Sequence, residues 1–318
     1  MIKRLAGCVR QYKKASILTP IFMVLEVTME VIVPLLMARL IDYGIDKGDM
    51  GYITKMGVVL VIACLMSLSF GALSGKFAAI ASAGFAKNLR HDMYYNVQNF
   101  SFSNIDKFST ASIVTRLTTD VTNLQNSYQM IIRIAVRAPM ILLFSLIMAF
   151  TINARLGCIF LLAIPILGGG LFFIIKNVHP IFERVFRTYD KLNNVVQENL
   201  HGIRVVKSFV REDVEEDKFK KISKEIYSDF TKAEGTLAFN GPLMQFTMYL
   251  CMILIAWFGA RMIVAGNFTT GELMSLITYA MQILMGLMML SMVFVMIIMS
   301  RASAERIVEI LDEQSDLA

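Results

Sequence analysis

The sequence predicts an all-α membrane protein with six transmembrane helices and long cytoplasmic helical extensions. Three observations support this fold class. Hydrophobic residues make up 56% of the chain and charged residues only 18%, whereas soluble domains average about 45–50% and about 25%. Six apolar runs each approach the ~20 residues that cross a ~30 Å hydrocarbon core. Two of the connections between these runs are long, polar and patterned like amphipathic helices.

The connections between the six spans alternate in length. Short connections follow the first, third and fifth spans, and long connections follow the second and fourth. Residues 1–16 and the second long connection are rich in Lys and Arg, whereas the short connections hold little beyond Lys47 and Arg155. The positive-inside rule therefore places both termini and both long connections in the cytoplasm. The spans are expected at about residues 17–41, 56–79, 130–151, 156–175, 239–264 and 273–299.

The two long connections predict two helical hairpins that project from the membrane. Apolar residues recur at helical spacing over residues 81–100 and 113–129, so the second and third spans should each continue as one helix. At 1.5 Å per residue, about 20–25 additional residues extend a helix roughly 30–40 Å beyond the bilayer. The turns are expected at residues 101–112 and near residues 209–216. Each hairpin therefore ends in a short exposed segment.

The sequence shows no catalytic constellation and predicts no metal site. The three histidines are scattered, no HExxH motif is present, and the four cysteines are far apart and expected to stay reduced. Residues 71–77 resemble a phosphate loop, but they have one residue too few between the glycines and no Ser or Thr after the lysine. The excess of basic residues follows membrane topology, so no nucleic-acid partner is expected.

Four charged residues inside the apolar spans are candidates for a role in the membrane. Glu26 and Glu30 lie one helical turn apart on the first span, and Arg133 and Arg137 lie one turn apart on the third. Such groups cost on the order of a few kcal/mol unless they are paired or hydrated. Two interpretations remain open. The carboxylates and guanidiniums neutralise one another between helices, or the carboxylates line a pathway that favours cationic substrates.

The sixth span carries methionines at helical spacing. Thioether side chains are flexible and polarisable, which suits a surface that repacks around different apolar ligands. Such a stripe is equally typical of helix–helix packing, and both interpretations remain open. The candidate residues of a substrate cavity are Glu26, Glu30, Met281, Met285, Met288 and Met292.

Prolines inside or at the edges of the spans predict kinks. A proline cannot donate a backbone hydrogen bond, so neighbouring helices must satisfy the carbonyl groups that it frees. These prolines are Pro20, Pro34, Pro139, Pro165 and Pro242.

Three segments give the chain a resemblance to a known family. They are residues 112–121 (SIVTRLTTDV), 198–209 (ENLHGIRVVKSF) and 301–313 (RASAERIVEILDE). With these motifs at consistent spacing, the chain resembles the transmembrane domain of type IV ATP-binding cassette (ABC) exporters, half-transporters whose six-helix domain precedes a nucleotide-binding domain. Residues 124–126 and 133–139 look most like bacterial multidrug exporters that work as heterodimers.

The resemblance implies a function and a set of partners. It implies the membrane-spanning half of an ATP-driven exporter for amphipathic drugs, lipids or peptides, in a bacterial plasma membrane. Its partners would be a second transporter half, with a heterodimer favoured, and nucleotide-binding domains that hold ATP and Mg²⁺. The sequence contains no Walker motif, so this polypeptide alone is not expected to hydrolyse ATP. Residues 301–318 would begin the linker to a nucleotide-binding domain.

The resemblance also implies that the two hairpin tips are coupling helices, at residues 104–110 and 209–216. Such helices dock into grooves of nucleotide-binding domains. In this family the fourth and fifth spans cross to the partner subunit, so the second tip would contact the opposite nucleotide-binding domain. The residues implied are Asn104, Ile105, Asp106, Lys107 and Phe108 in the first tip, and Phe209, Arg211, Glu212 and Asp213 in the second.

Two other classes of function remain open. An ion-coupled secondary transporter would use Glu26 and Glu30 as proton or cation sites, although such carriers need no paired cytoplasmic hairpins. A membrane scaffold would present its cytoplasmic helices to a soluble partner. A wide water-filled cavity lined by Glu26, Glu30 and the methionine stripe would argue against a scaffold.

Overall fold

The computed structural model describes residues 1–314 and is almost entirely helical over them, with no strand in that range, which confirms the predicted fold class. Within these residues, six helical stretches are long and apolar enough to cross a membrane. The side chains not described are those of Ile2, Asp106, Ile164, Leu171, Ser291, Phe294, Val295, Ile298 and Met299.

Eleven α-helices are present among the described residues. In chain order they are α1 (Ile2–Gly7), α2 (Lys13–Leu40), α3 (Met50–Gln98), α4 (Phe102–Phe108), α5 (Thr110–Thr115), α6 (Val121–Ile152), α7 (Ala154–His201), α8 (Ile203–Ser208), α9 (Glu212–Ala238), α10 (Asn240–Val264) and α11 (Thr270–Asp312).

The chain divides into two compact units. Unit 1 comprises residues 1–157 together with the described residues from 255 onward, and unit 2 comprises residues 158–254. Unit 1 therefore holds the first, second, third and sixth spans, and unit 2 holds most of the fourth and fifth.

In unit 1 the second span and its extension form one uninterrupted helix, α3, of 49 residues. At 1.5 Å per residue this helix is roughly 70 Å long, more than twice the thickness of a hydrocarbon core. The return helix differs from the expectation of a regular rod over residues 113–129. A π-helical turn at Arg116–Asp120 separates α5 from α6. Such turns insert an extra residue and change the direction of the side chains that they carry.

Among the described residues, apolar side chains of unit 1 cluster along the membrane spans and at the first hairpin. The membrane core contains Met23 and Val27 of α2, Ile141 of α6 and Tyr279 of α11. The hairpin core surrounds the last turns of α11. Its members include Phe85, Leu89, Met93, Phe100, Phe108, Val121, Ile307 and Ile310. Residues 301–312, the first part of the expected linker, continue α11 without a break. Their role as a linker to a further domain stays a prediction. Residues 315–318 of the expected linker lie outside the described residues.

The N-terminal end of α11 is fastened to the last residues of the first span. Asp42 accepts hydrogen bonds from the backbone nitrogen of Gly271 and the hydroxyl of Thr269, both at 2.8 Å. A carboxylate at this position also stabilises the helix dipole. α2 approaches α11 closely here because Gly271 has no side chain.

Replacing Gly271 with alanine is expected to destabilise unit 1. An ideal Cβ on Gly271 would lie closer than 3.0 Å to the backbone of Ala38, which cannot rotate away as a side chain can. Overpacking of this kind costs about 1–3 kcal/mol, so we expect a lower Tm for the purified protein. The matched control is Gly57→Ala in α3, where a Cβ would meet no atom within 4 Å. Equal Tm values for the two variants would contradict this packing.

In unit 2 the fourth span and its extension form one helix, α7, which continues through Pro165 and Pro180. It ends at His201, after which α8 forms a short separate helix. α9 returns beside α7, and the ring of Phe182 meets the ring of Phe230 edge-on at 5.9 Å. The second hairpin is therefore present, with its tip formed by α8 and the residues that follow it.

Candidate functional site

The first candidate site is a group of three charged side chains in the membrane part of unit 1, the intramembrane triad of Glu26, Glu30 and Arg137. Arg137 of α6 donates one hydrogen bond to Glu26 at 2.8 Å and another to Glu30 at 2.6 Å. The two carboxylates are within reach of one guanidinium because they lie one helical turn apart on α2. The triad carries one net negative charge, and Glu26 Oε2 is buried with no hydrogen-bond partner among the described residues.

The structure does not bring Arg133 to these carboxylates. Its side chain is half-buried one turn from Arg137, and it forms no ion pair within the described part of the chain. The two arginines, which the sequence pattern makes equivalent, therefore have different surroundings. Of these two arginines, only Arg137 pairs with carboxylates among the described residues.

A row of polar residues on α11 supports the triad, and the sequence interpretation did not single it out. Pro34 removes the backbone donor that would bond the Glu30 carbonyl, and Gln282 donates its side-chain amide to that carbonyl at 3.4 Å. Tyr279 donates its hydroxyl to the Val31 carbonyl at 2.7 Å. Ser275 does the same to the Pro34 carbonyl at 2.6 Å. The spacing of residues 275, 279 and 282 on one helix face is the signal that could have found them.

The four methionines proposed for a substrate cavity lie on the face of α11 that the core of unit 1 leaves exposed. Each has more than 40% of its surface exposed, whereas Tyr279 and Ile283 of the same helix are buried. These methionines therefore do not hold unit 1 together. They are Met281, Met285, Met288 and Met292.

The first hairpin tip begins and ends earlier than the sequence suggested. The helix is α4, Phe102–Phe108, rather than residues 104–110. Ser101 caps it in a reciprocal capping box with Asn104, and Ser109 at φ +52° separates it from α5. Because Ser109 adopts this left-handed conformation, the helix cannot continue to residue 110.

Two of the five residues proposed for this tip are buried. Asn104 is 3% exposed and Phe108 is 5% exposed, because they pack inside unit 1. Lys107 is exposed, Ile105 is half-buried, and the side chain of Asp106 lies outside the described residues. The large apolar side chain that the tip exposes is Phe102, at 88%. Sequence reasoning missed it because Phe102 precedes the segment assigned to the helix.

The first hairpin holds the last turns of α11 through two ion pairs, which we name the latch. Arg116 pairs with Glu309 at 2.7 Å, and Arg306 pairs with Asp120 through two nitrogens at 2.5 and 2.7 Å. Ser303 adds a hydrogen bond of 2.9 Å to Asp120. Arg116 and Asp120 stand at the two ends of the π turn, and both are buried.

The charges of the latch are well matched. The hydrogen bond from Arg306 holds the pKa of the Asp120 carboxyl below its usual value, against the opposing effect of burial. The guanidinium of Arg116 also lies over the ring of Phe108, 5.0 Å from its centroid. α4, the π turn and α11 are therefore linked through side chains, although Asp120 and Ser303 are 183 residues apart in sequence.

A third ion pair extends these links to the end of the described chain. Lys107 contacts Glu313 at 2.8 Å, and Asn104 donates to the same carboxylate at 3.0 Å. The hydrogen bond from Lys107 lowers the pKa of Glu313. The chain therefore lies next to α4 where it leaves the C-terminal end of α11.

The second hairpin tip is exposed, but residues 209–216 do not form one helix. α8 ends at Ser208, residues 209–211 make a turn with Val210 at φ +51°, and α9 begins at Glu212. Phe209 and Val210 are 73% and 81% exposed. Arg211, Glu212 and Asp213 are exposed as well. Glu212 and Asp213 occupy the first turn of α9, where acidic residues also stabilise the helix dipole.

Comparison with known proteins matches residues 16–288 to the family model of the ABC transporter transmembrane region. The chain is 32% identical over 296 residues to YfiB of Bacillus subtilis, an uncharacterised ABC transporter ATP-binding protein; the match covers 93% of this chain and 52% of that protein. It is 28% identical over 249 residues to the ATP-dependent lipid A-core flippase of Acinetobacter baylyi, covering 76% of this chain and 43% of the flippase. The chain spans about half the length of these relatives.

Proposed function

The chain belongs to the ABC transporter transmembrane family, and from that premise we propose that it lines the export pathway of an ATP-driven transporter for amphipathic molecules. Its six apolar helices make it a multi-pass membrane protein. The substrate class is supported by the exposed methionine face of α11 and by a relative that is named as a lipid flippase. The bacterial relatives support a bacterial plasma membrane as its location.

We infer that the chain assembles with nucleotide-binding domains and with a second transporter half. Relatives about twice as long as this chain are named ATP-binding proteins. ATP with Mg²⁺ would bind the half of those relatives that this chain does not match. The Lys and Arg concentrated in residues 1–16 and in the second hairpin support a cytoplasmic location for the tips and both termini. A heterodimer is favoured by the resemblance in residues 124–126 and 133–139.

The observation that carries the proposal is the latch. It ties the end of α11, from which a following domain would be connected, to the hairpin whose tip exposes Phe102. A force applied at α4 would therefore reach α11 through ion pairs rather than through a flexible loop. Since α11 also carries the methionine face, the same helix would move the wall of the substrate pathway.

Reversing the charges at the second tip tests the proposed coupling role. We expect Arg211→Glu with Glu212→Lys and Asp213→Lys to uncouple ATP hydrolysis from transport, because these exposed groups would meet a nucleotide-binding domain. The measurement compares ATPase activity and substrate uptake in inverted vesicles that contain the complete transporter. The matched control is Lys221→Glu with Lys224→Glu, which reverses exposed charges of α9 away from the tip. Unchanged transport in the tip variant would refute the role of this tip.

A further inference from the structure

Arg133 stands in a small cleft on α6 whose other polar side chains are the uncharged amides of Asn126 and Gln129. The cleft has a volume of about 250 Å³ and is lined by Asn126, Gln129, Met130, Arg133 and Ile134. This volume accommodates a phosphate or carboxylate group but not the acyl chains of a lipid. A guanidinium and two amides line the cleft together with two apolar side chains. Such a lining is complementary to the charged headgroup of an amphiphile and to the first carbons of its chain.

Gln129 contacts α3 through its amide oxygen, which lies 3.4 Å from the Ser82 hydroxyl, and that hydroxyl also lies 3.3 Å from the Ala79 carbonyl. The amide nitrogen of Gln129 carries two N–H donors. α3 presents Gly75 opposite the guanidinium of Arg133, so it supplies no counter-charge there. Among the described residues, no carboxylate lines the cleft.

Arg133 differs from Arg137 because it has no carboxylate partner among the described residues. Arginine stays protonated in proteins, and a half-buried guanidinium at the membrane boundary is costly without an anion. Arg137 has two carboxylates for this purpose, whereas Arg133 has none among the described residues. Arg133 lies four residues before Arg137, or about 6 Å along α6. In the proposed orientation that shift is toward the cytoplasmic headgroups.

We propose that Arg133, Gln129 and Asn126 bind the anionic headgroup, phosphate or carboxylate, of an amphiphile in the cytoplasmic leaflet. This assignment rests on the proposed function for its orientation in the membrane. The guanidinium and the amides donate to the anion, and Met130 and Ile134 contact the first carbons of the chain. The pathway thus presents a positive group at its cytoplasmic edge and the negatively charged triad one turn deeper.

The test measures lipid binding to the purified complete transporter by native mass spectrometry, without nucleotide. We expect phosphatidylglycerol to bind more tightly than phosphatidylcholine, and Arg133→Gln to lose roughly tenfold in affinity for phosphatidylglycerol, the value of one charge-assisted hydrogen bond. Arg133→Lys should lose less because it keeps the charge. The matched control, Arg155→Gln, removes an exposed arginine of α7 and should bind as the parent does.

Three outcomes would overturn the assignment. They are equal phosphatidylglycerol binding by Arg133→Gln and the parent, an equal loss in Arg155→Gln, and displacement of the lipid by inorganic phosphate at the same concentration, which would show a site for the free anion. Arg133→Gln breaks no ion pair among the residues that the structure describes, so its Tm should match the parent's. Asn126→Ala provides a second variant of the cleft. Because binding is measured without ATP, its failure leaves the proposed export function standing, and loss of export leaves the binding result standing.

Discussion

Asp120→Asn is expected to destabilise unit 1 and to uncouple ATP hydrolysis from transport. Asp120 is 1% exposed. Its carboxylate accepts hydrogen bonds from Nε and Nη2 of Arg306 and from the hydroxyl of Ser303. Removing one member of a buried ion pair costs about 3–5 kcal/mol. We expect the lower end, about 3 kcal/mol, because the Arg306 side chain is 47% exposed and keeps part of its hydration. Chemical unfolding in mixed micelles measures this loss.

The contribution of Asp120 also depends on pH in a defined direction. Its pKa is lowered in the folded protein, so folding favours the ionised form and the stabilisation is fully present above the unfolded value, about 3.8. The stabilisation is lost as the pH falls through the lower folded pKa. Asp120→Asn should remove this acid-sensitive part, so the difference in stability between parent and variant shrinks as the solution is acidified.

A matched control for the latch is Glu305→Gln. Glu305 pairs with Arg301 at 2.8 Å one turn away on the same helix, and both side chains are more than half exposed. Exposed pairs contribute about 0–1 kcal/mol, so this variant should differ little from the parent. An equal loss in Asp120→Asn and Glu305→Gln would contradict the structural role of the latch.

Arg137→Gln is the second change with a large expected effect. It would leave Glu26 and Glu30, whose side chains are 15% and 34% exposed, without the cation that pairs with them among the described residues. Unpaired buried charge costs about 3–5 kcal/mol, and part of the protein should fail to insert or should unfold at a lower Tm. Adding Glu26→Gln and Glu30→Gln should restore most of the stability, because no uncompensated charge then remains.

The comparison with Arg133→Gln separates the triad from a general need for arginine in α6. Arg133 forms no ion pair among the described residues, so its replacement should leave the Tm close to that of the parent. A triple variant no more stable than Arg137→Gln would show that the carboxylates are not what Arg137 stabilises. Equal Tm losses for the two arginine variants would show the same.

Hydropathy and periodicity predicted the fold because a bilayer imposes them on every span. The ~20 apolar residues per span and the helical pattern beyond the second span were enough to expect α3 as one long helix. The two long polar connections with helical periodicity identified the hairpins. These signals are local in sequence, so they remain readable without the structure.

Contacts between distant residues could not be predicted in the same way. Arg116 and Asp120 belong to one motif and Arg306 and Glu309 to another, and nothing local indicates that the two motifs pair. The pairing depends on a π turn, which has no reliable sequence signature. The burial of Asn104 and Phe108 depends likewise on the last turns of α11.

The contacts and exposed faces of unit 1 also bear on the two alternative functions, an ion-coupled carrier and a membrane scaffold. An ion-coupled carrier would assign the triad carboxylates to ion binding, but Arg137 already pairs with both of them. A scaffold would need no exposed methionine face within the spans, and α11 has one. The preference for cationic substrates, which one excess carboxylate would support, stays a prediction.

Cross-linking α4 to the end of α11 tests most directly whether the first hairpin and α11 move as one rigid body. The Nζ of Lys107 and a carboxylate oxygen of Glu313 are 2.8 Å apart. Cysteines at both positions can therefore be joined by a short bismaleimide in a complete transporter in which every native cysteine, including the four of this chain, is replaced by alanine. The double variant before cross-linking and Lys107→Cys alone are the controls. If the latch stays closed throughout the cycle, the cross-linked transporter should retain ATP-driven transport at the rate of the unlinked double variant. Loss of transport upon cross-linking, with the controls still active, would contradict this coupling route.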